Sequence, residues 1–175
     1  MNQKIREWIR NNYKNAVVID TETTGISKTD EVIQLAVVNA ADGSVILNRY
    51  FRPTTSIHPQ AYAVHNLSLK FLSGMSRFAD EYDSIRNALS SKVTLTYNSA
   101  FDKRMLDQTC EMYGLPKINT EWNCIMQMYS KYFGISKKVK LRDACANFNV
   151  APGNHDAVED ALAAARVLYR MRQGK

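Results

Sequence analysis

Residues 17–27 read VVIDTETTGIS, an apolar run followed by two acids two positions apart. Such a run is typical of a buried strand, and ionised acids are costly to place at the end of one. Side chains at i and i+2 of a strand point to the same face, so Asp20 and Glu22 would lie side by side. Like charges this close repel, which predicts a cation between them. Taken alone, the stretch is also explained by a strand that ends in a solvated turn.

The composition is that of a soluble globular protein. The chain has 175 residues, of which 45% are hydrophobic and 23% charged, and this length suits one domain with a sizeable core. The formal net charge of +6 at pH 7 is compatible with a polyanionic partner, although it does not by itself identify one.

Cysteine usage and hydropathy predict a cytoplasmic protein without membrane association. The three cysteines are widely spaced and form no CxxC pair, which argues against a disulfide framework and a zinc site. They are Cys110, Cys124 and Cys145. No stretch approaches the ~20 apolar residues of a membrane span. The basic N-terminus also lacks the apolar segment of a secretory signal.

We expect a single domain over residues 1–175, with an N-terminal helix over 1–14 and a core over 15–172. Ile5, Trp8 and Ile9 recur at helical spacing, which predicts that this first helix is amphipathic.

The order of elements in the core predicts an α/β fold. The strand that carries Asp20 comes first, and two further apolar runs flank Asp42-Gly43, a turn signal for an antiparallel hairpin. A helix, a fourth strand, a helix that opens at Ser99, a brief edge strand at 121–125 and three helices follow. This order predicts a mixed five-stranded sheet, with strands one to three antiparallel, flanked by helices.

Three more polar side chains are expected near the first strand. Asp102 lies in the first turn of the helix after the fourth strand, so it would approach Asp20 if these two strands are neighbours. His155 precedes the last helix, and Asp160 lies one to two turns inside it, before a run of alanines that permits close packing on the sheet. Each residue has an ordinary alternative, since helix starts favour acids and a lone histidine there is commonly a capping or surface residue.

The joint order of these motifs resembles the DEDD-type 3′–5′ exonucleases of the histidine subgroup. Members include the polymerase III epsilon proofreading subunit, ribonuclease T and exonuclease X. The shared patterns are D-x-E-T-T-G at the first strand, N-x-x-F-D in the middle and H-x-x-x-x-D near the C-terminus. The resemblance extends over residues 16–169 and implies a ribonuclease H-like fold, which the predicted element order independently allows.

The resemblance implies roles for five residues. The metal-binding acids would be Asp20, Glu22, Asp102 and Asp160, and His155 would be the general base. Two Mg²⁺ ions, or Mn²⁺ in their place, would clamp the phosphodiester, one activating water and the other stabilising the leaving oxygen. A free imidazole titrates near pH ~6.5, which suits a base that acts at neutral pH. The products would be nucleoside 5′-monophosphates released from the 3′ end.

Further residues are expected around the terminal nucleotide. They are Thr23, Thr24, Ile26, Tyr62, His65 and Phe101. The threonines offer N–H and hydroxyl groups, while Ile26 and Phe101 would border the last base. Tyr62 and His65 would stack or hydrogen-bond, although Tyr62 and Phe101 are also explained as ordinary packing residues. The chain has Asn66-Leu67 where the family's A-x-x-V-H-G-I segment has Gly-Ile, and Tyr97-Asn98 where many members have His-Asn, so nucleotide preference stays open.

A basic segment over residues 131–142 is a second candidate for nucleic-acid contact. Its cations are Lys131, Lys137, Lys138, Lys140 and Arg142. Such patches follow a single-stranded backbone through phosphate contacts, and a solvated loop is the alternative.

We therefore expect a metal-dependent 3′–5′ exonuclease that acts on single-stranded ends. DNA is favoured because D-T-E-T-T-G is similar to the proofreading and exonuclease X members, and an RNA-trimming exoribonuclease is the alternative. The long C-terminal extension with which the epsilon subunit holds its polymerase is missing, which favours a stand-alone nuclease and leaves polymerase contact or self-association open. The rival hypothesis is a nucleic-acid-binding module without activity, against which the intact set of five residues argues.

Overall fold

Five strands form one sheet in the part of the chain that the computed structural model describes, residues 2–90 and 92–174. They are β1 (Ala16–Thr23), β2 (Val32–Asn39), β3 (Val45–Tyr50), β4 (Val93–Thr96) and β5 (Glu121–Cys124). The spatial order is β3-β2-β1-β4-β5. Strands β1, β2 and β3 are antiparallel, whereas β4 is parallel to β1 and β5 to β4. The predicted mixed sheet is confirmed.

Eight α-helices accompany the sheet within the same described ranges. They are α1 (Gln3–Asn12), α2 (Pro59–His65), α3 (Leu69–Leu72), α4 (Tyr82–Leu89), α5 (Ser99–Met112), α6 (Ile125–Phe133), α7 (Leu141–Phe148) and α8 (Ala157–Gln173). The predicted N-terminal helix is present as α1, which begins after the capping side chain of Asn2 and buries Ile9. None of the described helices is long and apolar enough to cross a membrane.

Apolar side chains cover both faces of the sheet, which explains why β1 begins with an uninterrupted apolar run. On one face Ala16 and Val18 pack in the core formed with α1, α6, α7 and α8. On the other face Val17 and Ile19 pack in the core formed with α4 and α5. The three cysteine thiols are free and buried.

Only one neighbouring strand pairs with β1 at the position of the two acids. β1 pairs with β2 as far as Thr23, but it pairs with β4 only from Ala16 to Val18. Asp20 and Glu22 therefore lie in the last four residues of β1, near the end of the strand, as the sequence predicts. The antiparallel bonding to β2 continues alongside both acids, whereas β4 ends early and turns into α5.

Candidate metal centre and nucleotide pocket

Three carboxylates converge between β1 and α8. Asp20 and Glu22 continue the alternation of Ala16 and Val18, so they project from the face of β1 that packs against α8. Asp160 reaches the same place from α8, and one carboxylate oxygen of each of the three acids lies within 4.8 Å of the others. Such a set of oxygen donors suits a hard divalent cation.

The start of α8 determines where Asp160 lies. The helix begins at Ala157, so Asp160 belongs to its first turn and not one to two turns inside, as the sequence predicted. The predicted close approach of the helix to the sheet is present, because α8 packs on β1 and β2 through small side chains. The buried alanines of this contact include Ala161, Ala163 and Ala164.

Burial and mutual repulsion raise the pKa values of the three acids, so each holds its proton to a higher pH than a free carboxyl does. Burial, and then the charge of Asp160, raises the pKa of Glu22 to about 8. Burial, and then the charge of Asp102, raises the pKa of Asp20 well above its ordinary value. Burial also raises the pKa of Asp160, against the opposing effect of His155. A bound cation would remove the repulsion and displace these protons, so the arrangement favours positive charge at this place.

Asp102 approaches from the opposite face of the sheet and lies outside this convergent set of three. It lies in the first turn of α5 and is 3% exposed. Thr21 Oγ1 donates a hydrogen bond of 2.9 Å to Oδ1 of Asp102, and Thr96 Oγ1 donates one of 2.5 Å to Oδ2. Burial raises the pKa of Asp102 to about 6, and the two hydroxyl donors oppose that rise. Its charge in turn acts on Asp20.

His155 stands at the solvent-exposed side of the acids. Its backbone is left-handed, with φ of 63°, and its side chain is 65% exposed. The Nδ1 atom lies 3.9 Å from Oδ2 of Asp160. The imidazole is thus next to the metal-facing acids and accessible to water.

Asp156 holds the beginning of α8 and was not identified from the sequence. Its Oδ1 accepts hydrogen bonds from the backbone N–H of Val158 and Glu159 at 3.0 and 3.3 Å. Its Oδ2 accepts hydrogen bonds from Nε2 of Gln34 on β2 and from the hydroxyl of Tyr50 on β3, at 3.1 and 3.2 Å. An aspartate directly before an amphipathic helix is a recognisable N-cap signal, but its partners on the sheet are not visible in the sequence.

A cavity of about 550 Å³ opens beside the acids. Glu22 contributes to its wall, and four of the six predicted nucleotide contacts line it. These four are Thr23, Ile26, His65 and Phe101. The Ile26 side chain is 77% exposed, so it presents an apolar surface to a ligand. The cavity therefore combines apolar walls with a carboxylate edge.

The other two predicted contacts, Thr24 and Tyr62, are not among the residues that line this cavity. Thr24 is fully buried; its N–H donates to the carbonyl of Glu31 at 2.9 Å and its hydroxyl to Oδ1 of Asp30 at 2.9 Å. Thr24 thus holds the β1–β2 loop together. Tyr62 is 44% exposed on α2, and its contact with a nucleotide stays a prediction.

His65 connects α2 to the end of β1. Its Nδ1 accepts a hydrogen bond from the N–H of Leu67 at 2.9 Å, so Nε2 carries the proton and donates to the carbonyl of Thr23 at 3.2 Å. Burial lowers the pKa of His65. The ring is therefore a neutral, fixed part of the cavity wall.

Gly25 and His58 also shape the cavity and were not identified from the sequence. A Cβ atom on Gly25 would lie 2.6 Å from Oδ2 of Asp30 and 2.6 Å from Cδ2 of His58, so only glycine fits. His58 Nε2 lies 3.4 Å from Oδ1 of Asp30. The only sequence signal for this arrangement was the Thr-Thr-Gly turn itself.

The cations of the basic segment 131–142 are all exposed, and none of them lines the nucleotide cavity. The segment runs from the end of α6 through a loop into α7. Its contact with nucleic acid stays a prediction.

Known proteins match this chain along almost its whole length. The model of the Exonuclease family matches residues 17–168. An uncharacterized exonuclease of Escherichia phage 186 is 24% identical, over 99% of this chain and 95% of its own length. The DNA polymerase III subunit epsilon of Buchnera aphidicola is 27% identical, over 94% of this chain and 75% of its own.

A solved structure matches the fold. The nuclease domain of 3′hExo, a DEDDh family member bound to rAMP, aligns with a TM-score of 0.78 at 18% identity. The alignment covers 93% of both chains. This likeness confirms the predicted ribonuclease H-like fold.

Proposed function

This chain belongs to the exonuclease family and is a nuclease, and we propose that it is a metal-dependent 3′–5′ exonuclease of single-stranded ends. DNA is the preferred substrate, and nucleoside 5′-monophosphates are the products. The observation that supports this proposal most strongly is the convergence of Asp20, Glu22 and Asp160 within 4.8 Å, with His155 3.9 Å from Asp160. Metal-dependent phosphodiester hydrolysis uses such a combination of cation ligands and a nearby base.

The donor set fits divalent metal ions. All the donors are carboxylate oxygens, which Mg²⁺ prefers and Mn²⁺ accepts. In our proposal Asp20, Glu22 and Asp160 would hold the ions, and Asp102 would help to hold them from the opposite face of the sheet. When bound, the ions neutralise the phosphodiester and make water more acidic.

The residues around the metal centre bind and orient the substrate in this proposal. Ile26 and Phe101 border the terminal base, and the backbone of Thr23 lies along the sugar. His155, which is open to solvent, takes a proton from the attacking water on an imidazole nitrogen and releases it to bulk water. These roles require that the 3′-terminal nucleotide lies in the 550 Å³ cavity with its phosphate at the acids.

The preference for DNA rests on similarity to known exonucleases. The D-T-E-T-T-G motif is similar to proofreading members, and one relative is a subunit of a DNA polymerase. RNA is the second candidate, because the matching 3′hExo domain has rAMP bound.

The decisive experiment is digestion of 5′-labelled oligonucleotides of one sequence as single-stranded DNA, duplex DNA and RNA, with Mg²⁺. We expect a stepwise ladder from the 3′ end with single-stranded DNA, slower digestion of RNA, and no activity after chelation with EDTA. Asp20→Ala should abolish digestion. Full activity of the Asp20→Ala protein would show that the acids are not the catalytic centre.

The same assay separates the enzyme from a module that only binds nucleic acid. Such a module would retain its affinity for the oligonucleotide in EDTA and leave the labelled strand intact in Mg²⁺ and in Mn²⁺. That result with freshly folded protein would overturn the proposed activity.

A further inference from the structure

A second cleft, of about 630 Å³, adjoins the nucleotide cavity and is lined by four cations. These cations are Lys28, Lys103, Arg104 and Lys117. The acids in the lining are Asp107 and Glu111, so the cleft carries a net charge of +2. We call it the basic cleft.

The cations of the basic cleft are available to a ligand. Lys28 and Arg104 are exposed and make no ion pair with any described residue. Lys103 and Lys117 share Asp107, at Nζ–Oδ2 distances of 2.6 and 4.0 Å, but 46% and 64% of their side chains stay exposed. Surface ion pairs of this kind contribute little stability, so a phosphate oxygen can replace the carboxylate at small cost.

The basic cleft and the nucleotide cavity have a common wall. Ser27 and Phe101 line the cavity, and their chain neighbours Lys28 and Ala100 line the cleft. The side-chain amide of Gln108 donates to the carbonyls of Ser27 and Asp30, which ties α5 to the β1–β2 loop. A strand that leaves the cavity over this wall enters the basic cleft directly.

Arg104 lines the basic cleft and contacts Phe101, which lines the nucleotide cavity. Its guanidinium carbon lies 5.6 Å from the centre of the Phe101 ring, within the range of a cation–π contact. A base that stacks near Phe101 and the phosphate attached to it would therefore meet an aromatic ring and a cation together. This pairing of aromatic and cationic groups is typical of single-strand binding grooves.

We infer that the basic cleft binds the phosphodiester backbone of the strand whose 3′-terminal nucleotide lies in the cavity, an inference that rests on the proposed function. The cations come from three separate segments, the β1–β2 loop, α5 and the loop after α5. A polyanionic strand carries one phosphate per nucleotide and so can contact cations from separate segments along one path. Three exposed lysines elsewhere on the described surface line neither cavity and therefore supply the control: Lys4, Lys14 and Lys92.

The test measures the affinity of the full-length protein for a 5′-labelled 20-nucleotide single-stranded DNA in EDTA, by fluorescence anisotropy at several salt concentrations. The cleft variant is Lys28→Ala/Lys103→Ala/Lys117→Ala, which leaves Arg104 on Phe101. The control variant is Lys4→Ala/Lys14→Ala/Lys92→Ala, which removes the same charge. Because all six lysines are exposed, we expect both variants to fold, with thermal unfolding as the check.

We expect the cleft variant to raise Kd roughly tenfold, and to reduce the salt slope of log K by about 2, since each lost phosphate contact on a single strand contributes ~0.7. The control variant should change Kd less than twofold. If the cleft variant has the wild-type Kd and salt slope, the cleft does not bind the strand and the inference is overturned. This holds whether the cleft binds an acidic peptide or no ligand. Equal weakening by both variants would also overturn the inference, because net charge alone would then explain the binding.

Kinetics with Mg²⁺ separate this inference from the proposed function. A dinucleotide has one phosphodiester and does not reach the basic cleft, so the cleft variant should cleave it at the wild-type rate. For the 20-nucleotide strand, KM should rise about tenfold with kcat unchanged. Wild-type protein that cleaves neither substrate would refute the proposed activity, and the difference in Kd between the two variants would still decide the inference about the cleft.

Discussion

Thr21 on β1 and Asp102 on α5 join the sheet to the helix on the face opposite α8, because Oγ1 of Thr21 donates a 2.9 Å hydrogen bond to Oδ1 of Asp102. Thr21 lies between Asp20 and Glu22, and alternation along β1 directs it to the opposite face. β1 therefore directs the carboxylates of Asp20 and Glu22 toward α8. It directs the hydroxyl of Thr21 toward α5, where that hydroxyl binds Asp102. Thr96, on β4, supplies the second anchor.

Thr96→Val should weaken the candidate centre through Asp102. The valine keeps the volume of threonine and removes a donor to the charged carboxylate, so the pKa of Asp102 should rise above its present value of about 6. At pH 7 more of the carboxyl is then protonated. We expect kcat/KM on the labelled single strand to fall ~10-fold at pH 7 and to recover partly at pH 8.5.

Thr94→Val is the matched control on the same strand. Thr94 is fully buried, and its hydroxyl pairs with that of Thr120 at 2.7 Å, away from Asp102. Both variants should lose similar stability, but Thr94→Val should keep its activity within twofold. Equal loss of activity in the two variants would mean that β4 stability, and not the donor to Asp102, determines the rate.

Gly153→Ala should disturb Asp160 directly. A Cβ atom at residue 153 would lie 1.7 Å from Oδ1 and 2.8 Å from Cα of Asp160, so either the carboxylate or the loop must move. We expect the affinity for Mn²⁺, measured by calorimetry, to fall at least ~10-fold, because one of the three convergent oxygens is displaced.

Gly74→Ala is the corresponding control. Apart from Gly74 and its two chain neighbours, no heavy atom of the described residues lies within 4 Å of a Cβ at this position, so this variant should bind Mn²⁺ as the wild type does. Wild-type affinity of Gly153→Ala would show that the loop adjusts without moving the carboxylate.

Features of the site that depend on residues close together in the sequence could be predicted, whereas contacts between residues far apart in the sequence could not. The common direction of Asp20 and Glu22 follows from local alternation, and the hairpin follows from its turn residues, so both could be read locally. Thr21 and Asp102 are 81 positions apart, and their bond exists only because β4 lies beside β1. Buried threonines are ordinary strand residues, and nothing in their sequence marks them as donors.

The start of α8 illustrates the same limit. Asp156 can be recognised as a cap, but its other partners are Gln34 and Tyr50, 122 and 106 positions away. They belong to different strands, and their meeting with Asp156 depends on how α8 docks on the sheet. The depth of Asp160 in the helix was therefore predicted wrongly, although its side of the helix was correct.

His155→Asn should test the proposed base, because asparagine removes the imidazole and tolerates the left-handed backbone of this residue. The φ of 63° at this residue is left-handed, a conformation that asparagine adopts more readily than alanine does. We expect activity at pH 7 to fall ~10²–10³-fold, within the ~10²–10⁴-fold that a positioned general base usually contributes. The thermal midpoint should change little, because the side chain is 65% exposed.

The pH profile identifies the origin of that loss. If His155 takes the proton, the rate of His155→Asn with Mg²⁺ should depend less on pH than the wild-type rate does. Parallel profiles for the two proteins would assign the proton transfer to another group and leave His155 a role in binding only.

The acids should also make the metal-free protein less stable as the pH rises. The pKa of Glu22 is about 8 in the folded chain against ~4.3 in an unfolded one, so the folded state holds a proton that the unfolded state has released. Below the lower value neither state is ionised and folding incurs no penalty. Between the two values the free energy of unfolding falls with pH by at most ~1.4 kcal/mol per unit for this group.

The measurement is the thermal midpoint in EDTA between pH 5 and pH 8, compared with the same series in Mn²⁺. At roughly 2–4 °C per kcal/mol for a chain of this size, we expect a fall of several degrees in EDTA and a smaller one in Mn²⁺, because the cation stabilises the ionised acids. Glu22→Gln should be more stable than the wild type at pH 8 in EDTA, and Glu7→Gln, which changes an exposed residue on α1, should not. A midpoint in EDTA that rises through this range, or an equal effect of both substitutions, would show that Glu22 is ionised without a cation and that the acids do not repel strongly enough to require one.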